Sequence, residues 1–301
     1  MKYHDAVMPD ECIEGLGIQP DGIYVDVTFG GGGHSKRILE KLGTGVGMVI
    51  GFDQDADAAA NIINDSRFIL IRDNFRNMKQ HLQQKGLIPV NGILADLGVS
   101  SHQFDEPSRG FSIRFDHDLD MRMDTTTGKT ALELLNTLSE KELVRIFSSY
   151  GEVKNSKTLA ATIVNARARH PLSGSDDFRK AIGHLVPKAN ESQYLAQVYQ
   201  ALRIEVNQEL DALKSMLEQC AEVLVPGGRL VVMSYHSLED RLVKNFIGKG
   251  NFEGVDQKDF FGNNIGIQFQ SITKKPIVPS EEEVKRNPRS RSAKLRVAAK
   301  I

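Results

Sequence analysis

The stretch Ile23-Tyr24-Val25-Asp26-Val27-Thr28-Phe29-Gly30-Gly31-Gly32-Gly33-His34-Ser35 decides how this chain is read. An apolar run enters a glycine turn, a helix-like segment follows, and a second apolar run from Val46 to Phe52 ends in Asp53. The pattern is strand, turn, helix, strand, with an acid at the tip of the second strand. Consecutive glycines let the backbone take positive φ and approach a ligand closely. A helix starting near Ser35 presents unpaired N–H groups to that ligand. An acid roughly 20 residues beyond the turn suits the two hydroxyls of a ribose. The segment therefore reads as a cradle for a nucleoside cofactor.

The glycine spacing bears on which nucleoside it holds. A dinucleotide fingerprint starting at Gly30 needs a third glycine where Ser35 stands, and one starting at Gly31 meets Lys36. Asp26 precedes the glycines, where a pyrophosphate would be repelled. A cofactor with a positive amino group and no phosphate, such as S-adenosyl-L-methionine, suits that acid better. A nucleotide-dependent dehydrogenase stays open as the rival enzyme reading.

The alternation continues. Ala56 to Ile63 is helical in pattern, Phe68 to Arg72 is a short buried strand, Met78 to Lys85 a helix, and Asn91 to Gly98 a fourth strand that again ends in acid and glycine. Strands alternating with helices predict a parallel sheet with ligands at the strand C-terminal ends. Asp26, Asp53, Asp73 or Phe75, and Asp96 would then share one edge. From about Glu106 to Lys188 the strands stop, and Thr130–Ser148, Ser156–Arg169 and Asp176–Leu185 look helical between glycine, proline and serine clusters. The expected architecture is an α/β domain, residues 1–105 and 190–301, interrupted by a helical domain over 106–189. The α/β part resumes with one long helix, Tyr194 to Val223, the turn Pro226-Gly227-Gly228-Arg229 and a strand from Leu230 to Tyr235. Two more strands, Gln268–Pro276 and Ala293–Ala299, flank a charged loop over Ser280–Ser292.

At 301 residues, 40% hydrophobic and 26% charged with net charge −1, the composition is that of a globular protein with a full core. No apolar stretch approaches the roughly 20 residues that span a membrane, and the N-terminus lacks a signal-peptide core, so a cytoplasmic location is expected. Cys12 and Cys220 offer neither a metal cluster nor a disulfide framework, and no metal is expected. Basic residues are unevenly spread. From Ser271 to Ile301 there are nine Lys or Arg against three acids, and Val153 to His170 holds four basic residues and no acid. Such stretches neutralise phosphates or form solvated helix faces.

Several motif fragments are set aside. Gly128-Lys129-Thr130 resembles the tail of a phosphate loop, but Met123 stands where its first glycine belongs. Asp116, Asp118 and Asp120 open with calcium-loop spacing, yet Met121 and Thr127 replace the required Gly and Glu; pairing of these acids with Arg114 and Arg122 is the better reading. Ser100 and Ser101 lack a nucleophile elbow. His236 reads either as a base or as part of a polar turn opening a helix.

Taken together, Val27 to Ser35, Asp96-Leu97-Gly98-Val99-Ser100-Ser101, Asp120-Met121-Arg122-Met123-Asp124, Pro226 to Arg229, Ser234-Tyr235-His236-Ser237-Leu238-Glu239-Asp240-Arg241 and Asn287 to Ser292, with His4 at the start, resemble the RsmH (formerly MraW) family of bacterial ribosomal RNA methyltransferases. The match spans essentially the whole chain. The resemblance implies a class I methyltransferase fold with a helical insertion. It also implies S-adenosyl-L-methionine as cofactor and methylation of the exocyclic N4 amine of a cytidine in the decoding region of 16S rRNA, with 16S rRNA or the small ribosomal subunit as partner. Carried over by position, cofactor contacts fall on Gly32, Gly33, His34, Asp53, Phe75, Asp96 and Gln103. Asp96 is also the candidate proton acceptor, although Asp96-Leu97-Gly98-Val99 is not the Asn/Asp-Pro-Pro-aromatic motif of common amino-methyltransferases. The chain departs from the family pattern at Gly31 and at Tyr235, where Phe is expected; neither is expected to touch a proposed contact. Lys249 to Gln268 is shorter than in some members, which weakens any RNA contact there. Candidate phosphate contacts are Arg109, Arg114, Lys154, Lys157, Arg167 and Arg169, with Arg289, Arg291, Lys294 and Arg296. The rival reading from a different class is an RNA-binding or assembly factor that keeps the fold without turnover.

Overall fold

The computed structural model describes residues 6–113 and 116–301, so His4 and Arg114 lie outside the described residues. The first ninety residues alternate as their apolar runs require. Helix α1 (Pro9–Leu16) starts with Pro, carries Asp10 and Glu11 at its positive end and stops at Gly17, φ 56°. Then come β1 (Ile23–Asp26), α2 (Gly33–Leu42), β2 (Met48–Asp53), β3 (Phe68–Arg72), α3 (Met78–Gln84) and β4 (Val90–Asp96). The helix expected from Ala56 is a 3₁₀ turn over Ala56–Asn61, capped where the Asp55 carboxylate accepts from the Asp57 N–H.

The chain divides into two compact units, one of residues up to Gly98 together with Leu210–Ile301, the other Val99–Glu209. The division falls at Gly98/Val99 and Glu209/Leu210, where the sequence pattern places it at 105/106 and 189/190. The helical unit holds α4 (Ser101–Asp105), α5 (Ala131–Thr137), α6 (Glu140–Ser149), α7 (Ser156–Arg169), α8 (Ser175–Ile182) and α9 (Glu191–Asn207). Tyr194, Leu195, Val198, Tyr199 and Leu202 of α9 pack into one cluster with Phe147, Leu159 and Phe178, and Phe104 of α4 packs against it. Burial of that face is what assigns α9 to this unit rather than to the sheet. The single helix expected over Tyr194–Val223 breaks at Gln208, φ 50°, and restarts as α10 (Glu209–Val223). Likewise the helix expected over Thr130–Ser148 is two, because Ser139 and Glu142 form a capping box that opens α6.

The other unit is completed by α10, β5 (Leu224–Ser234), α11 (Ser237–Lys249), β6 (Phe269–Ser271), α12 (Glu281–Arg286) and β7 (Lys294–Lys300). Its sheet runs β3-β2-β1-β4-β5-β7-β6. Strands β1 to β5 pair parallel, β7 lies antiparallel against β5, and β6 antiparallel against β7. This is the class I methyltransferase sheet that the resemblance implies. Both faces are covered, as parallel sheets require: Val25 and Val27 enter one apolar cluster with Leu213, Met216 and Leu217 of α10, while Tyr24 enters another with Ile38 and Leu42 of α2. The Pro226–Arg229 turn is a bulge within β5, where the register against β4 shifts between Val90 and Gly92. The Ser280–Ser292 loop contains α12, whose buried Glu283 accepts the Met8 N–H at 2.7 Å and so ties the C-terminal segment to the start of α1. No helix among the described residues is long and apolar enough to cross a membrane.

Candidate active site

β3, β2, β1 and β4 are consecutive in the sheet and parallel, so their C-terminal ends form one edge. Six of the seven sequence-predicted cofactor residues lie on the segments leaving that edge: Gly32, Gly33 and His34 after β1, Asp53 at the end of β2, Phe75 after β3 and Asp96 at the end of β4. The turn after β1 is built against β2. Phe29 N–H donates to the Phe52 carbonyl, Gly30 N–H donates to Asp53 Oδ2 at 2.8 Å, and Asn61 Nδ2 donates to the Gly30 carbonyl. Gly32 stands at φ 74°, and a Cβ there would lie 2.9 Å from the Phe29 ring. Only glycine fits both conditions. Gly32 is also the N-cap of α2 and offers no side-chain cap, which leaves the first-turn donors to a ligand.

Asp53 is held by two backbone donors, Gly30 N–H on Oδ2 and Asp55 N–H on Oδ1, each at 2.8 Å. A carboxylate has about four lone-pair positions, so about two remain for a diol. Burial raises its carboxyl to about 6, the two backbone donors pulling the other way. Phe75 is half-buried at the head of a 3₁₀ turn set by Asn74, whose side chain accepts the Arg76 N–H.

Asp96 is the centre of the site. Its backbone N–H donates to Thr28 Oγ1 at 2.7 Å, which staples the end of β4 to the glycine turn. Its Oδ1 accepts the Tyr235 hydroxyl at 2.7 Å, and its Oδ2 lies 3.9 Å from His34 Nδ1. His34 is 5% exposed and its Nε2 lies 3.0 Å from the Val7 carbonyl. A carbonyl only accepts, so Nε2 carries hydrogen and, in the neutral ring, Nδ1 is bare toward Asp96. Burial pushes the Asp96 carboxyl up to about 6, with His34 and Tyr235 opposing the rise and Asp26 and Glu239 adding to it. A carboxylate there can accept a proton from an amine nitrogen that is gaining positive charge.

Several expectations change. Asp26 is fully buried, with Ser35 Oγ donating to Oδ2 at 2.7 Å and Thr28 N–H to Oδ1 at 3.2 Å, so it braces the turn rather than facing a ligand. Tyr235 does touch a proposed contact, since its hydroxyl bonds Asp96. Gln103 belongs to the helical unit, where its Oε1 accepts the Ser100 N–H in the capping box of α4. His236 caps α11, and the buried Glu239 accepts the Tyr235 N–H at 2.9 Å. Asp120 forms a two-pronged pair with Arg122, at 2.7 and 2.8 Å. Among the basic candidates, Arg109 is buried and donates to the Arg122 and Met123 carbonyls, and Arg167 donates to the Leu135 and Leu138 carbonyls that end α5. Arg296 pairs with Asp240 at 2.7 Å. These three arginines hold the fold. Lys154, Lys157, Arg169 and Arg291 are exposed.

Comparison with known proteins places this geometry in a family. The model of the MraW methylase family matches residues 1–301. The "Ribosomal RNA small subunit methyltransferase H" of Flavobacterium johnsoniae is 54% identical over 301 residues, 100% of this chain and 99% of that protein. The protein of the same name from Parabacteroides distasonis is 55% identical over 302 residues, 99% of this chain and 98% of that one. A rRNA methylase of known structure from Streptococcus thermophilus is a distant likeness, 14% identical over 97% of this chain and 93% of that one, TM-score 0.41. The chain belongs to the MraW methylase family.

Proposed function

We propose that the chain transfers a methyl group from S-adenosyl-L-methionine to the exocyclic N4 amine of a cytidine in 16S rRNA of the small ribosomal subunit. The observation that carries this reading is Asp96: a half-buried carboxylate at the cofactor edge, tied to the glycine turn by its own N–H and gripped at one oxygen by a tyrosine. The full-length match to small-subunit rRNA methyltransferases from two genera supports the substrate class.

The residues fit this cofactor. Asp53 keeps the lone pairs that two ribose hydroxyls need, Gly32 and Gly33 let the backbone approach, and Phe75 offers a ring for the adenine. The N-terminal turn of α2 would suit the cofactor's carboxylate. S-adenosyl-L-methionine supplies an electrophilic methyl on a sulfonium sulfur. The amine's lone pair is delocalised into the cytosine ring, so the protein's part is alignment, which contributes roughly 7–11 kcal/mol when both reactants are held in attack geometry. Asp96 would take up the N–H proton that the amine sheds once it is methylated. A target in folded RNA must be presented unpaired or turned out of its stack. The helical unit, with Lys154, Lys157 and Arg169 exposed, is the proposed substrate-recognition element.

The test is methyl transfer from labelled cofactor to small subunits lacking the modification, followed by nucleoside analysis. Label in N4-methylcytidine is expected. Cofactor binding without transfer to any ribosomal substrate would favour a binding or assembly factor instead.

A further inference from the structure

Tyr235 takes no part in the site as the sequence reads it, yet it makes a short hydrogen bond to the central carboxylate. Its placement follows from the sheet. Asp96 pairs with Met233 across β4 and β5, and side chains two residues apart on a strand share a face. Tyr235, two residues past Met233, therefore comes up on the Asp96 side just beyond the strand end. The backbone there is locked: Tyr235 N–H donates to Glu239 Oε2 at 2.9 Å, from the first turn of α11. The ring lies against Gly98, φ 100°, where an added Cβ would sit 3.5 Å from Cδ2. A rigid phenol then delivers its hydroxyl to Asp96 Oδ1 at 2.7 Å.

The consequence lies in the two oxygens. With Oδ1 occupied by Tyr235, rotation of the carboxylate is stopped, and Oδ2 is left for an incoming donor, flanked by His34 Nδ1 at 3.9 Å. Building on the methyl-transfer reading above, we infer that Tyr235 is a positioning residue for the proton acceptor, fixing which oxygen of Asp96 receives the amine proton and keeping that carboxylate ionised. A hydrogen bond to the charged form favours it, and removing the donor makes the carboxylate harder to ionise. The charged or titratable groups around the pair are His34 from α2, Asp26 at the end of β1, Glu239 from α11 and Cys12 from α1. The last three oppose charge on Asp96 or on Tyr235, which leaves the hydroxyl as the neutral group favouring the carboxylate, with His34 adding to it only in its charged form.

The test is Tyr235→Phe, which keeps the ring and removes the hydroxyl. Two readouts are taken on the full chain. Carbon-13 titration of the Asp96 carboxyl, assigned by comparison with Asp96→Asn, is read without substrate; its midpoint is expected to rise by about one pH unit, the usual scale for a lost bond to a carboxylate. In methyl transfer, the acid limb of the kcat profile is expected to move up by the same amount. At pH 7 kcat is expected to fall about twofold, widening to roughly tenfold at pH 5, with the KM for either substrate changing less than the kcat at pH 5. An unmoved midpoint overturns the inference whatever reaction the protein catalyses. A moved midpoint with an unmoved kcat profile also overturns it, because the hydroxyl would then tune a carboxylate that turnover does not use. Absence of transfer by the wild-type protein would refute the functional reading, and the titration would still decide the coupling.

Discussion

Replacing Asp53 by Ala removes the carboxylate proposed to hold the ribose. Two of its lone-pair positions are taken by Gly30 N–H and Asp55 N–H, each at 2.8 Å, which leaves about two for the diol. Hydrogen bonds to a charged group are worth about 1.5–3 kcal/mol each, so losing two at the lower figure costs about 3 kcal/mol. That corresponds to roughly a hundredfold rise in Kd for S-adenosyl-L-methionine. Calorimetric titration at pH 8 measures it, with thermal unfolding of the cofactor-free variant as the check that the glycine turn survives. The carboxyl also carries a pH signature. Because burial raises it to about 6, it is mostly protonated at pH 5 and ionised at pH 8. A protonated carboxyl is the weaker acceptor, so wild-type affinity should fall by up to about tenfold between pH 8 and pH 5, and the variant should lose that component. A folded Asp53→Ala protein binding within about threefold of wild type would refute the assignment.

Two further outcomes follow from where the basic residues lie. Arg167→Ala leaves the Leu135 and Leu138 carbonyls without their guanidinium donor, and should lower stability by about 2 kcal/mol in urea unfolding while RNA affinity at low salt stays unchanged. Reversing Lys154, Lys157 and Arg169 to Glu should do the opposite: unfolding shifts little, RNA binding weakens, and the slope of log affinity against log salt falls by roughly one for each phosphate no longer neutralised. An unchanged slope would make these side chains a solvated helix face, and the same experiment at Arg291 tests the C-terminal segment.

The cofactor edge was legible because each element there follows from local residue order. Strands buried on both faces appear as short apolar runs, and the turn after β1 needs Gly32, whose φ of 74° is closed to other side chains. Helix breaks were partly legible. Ser139 with Glu142 is a start signal within what otherwise looks like one helix, and Ser280 with Glu283 marks α12 in the same way. The break at Gln208 has no such mark, since a non-glycine residue there takes a positive φ. α1 is only eight residues long and buries little, which leaves Pro9 and Gly17 as its signals. Register was out of reach. That Tyr235 meets Asp96 depends on β5 pairing with β4 through a bulge, and on Gly98 leaving room for a ring. Charge runs misled at Arg167, which sits in basic company yet is bound to backbone carbonyls, and Arg109, outside any basic run, is bound to carbonyls in the same way.

The most direct test of the account is Asp96→Asn, assayed in single turnovers at saturating S-adenosyl-L-methionine with small subunits lacking the modification. Asparagine keeps the size of the side chain and an oxygen for the Tyr235 hydroxyl, and it cannot take a proton, so folding should hold while methyl transfer falls by about a hundredfold or more. A variant that transfers methyl at near wild-type rate would remove Asp96 from the chemistry, and with it the central claim.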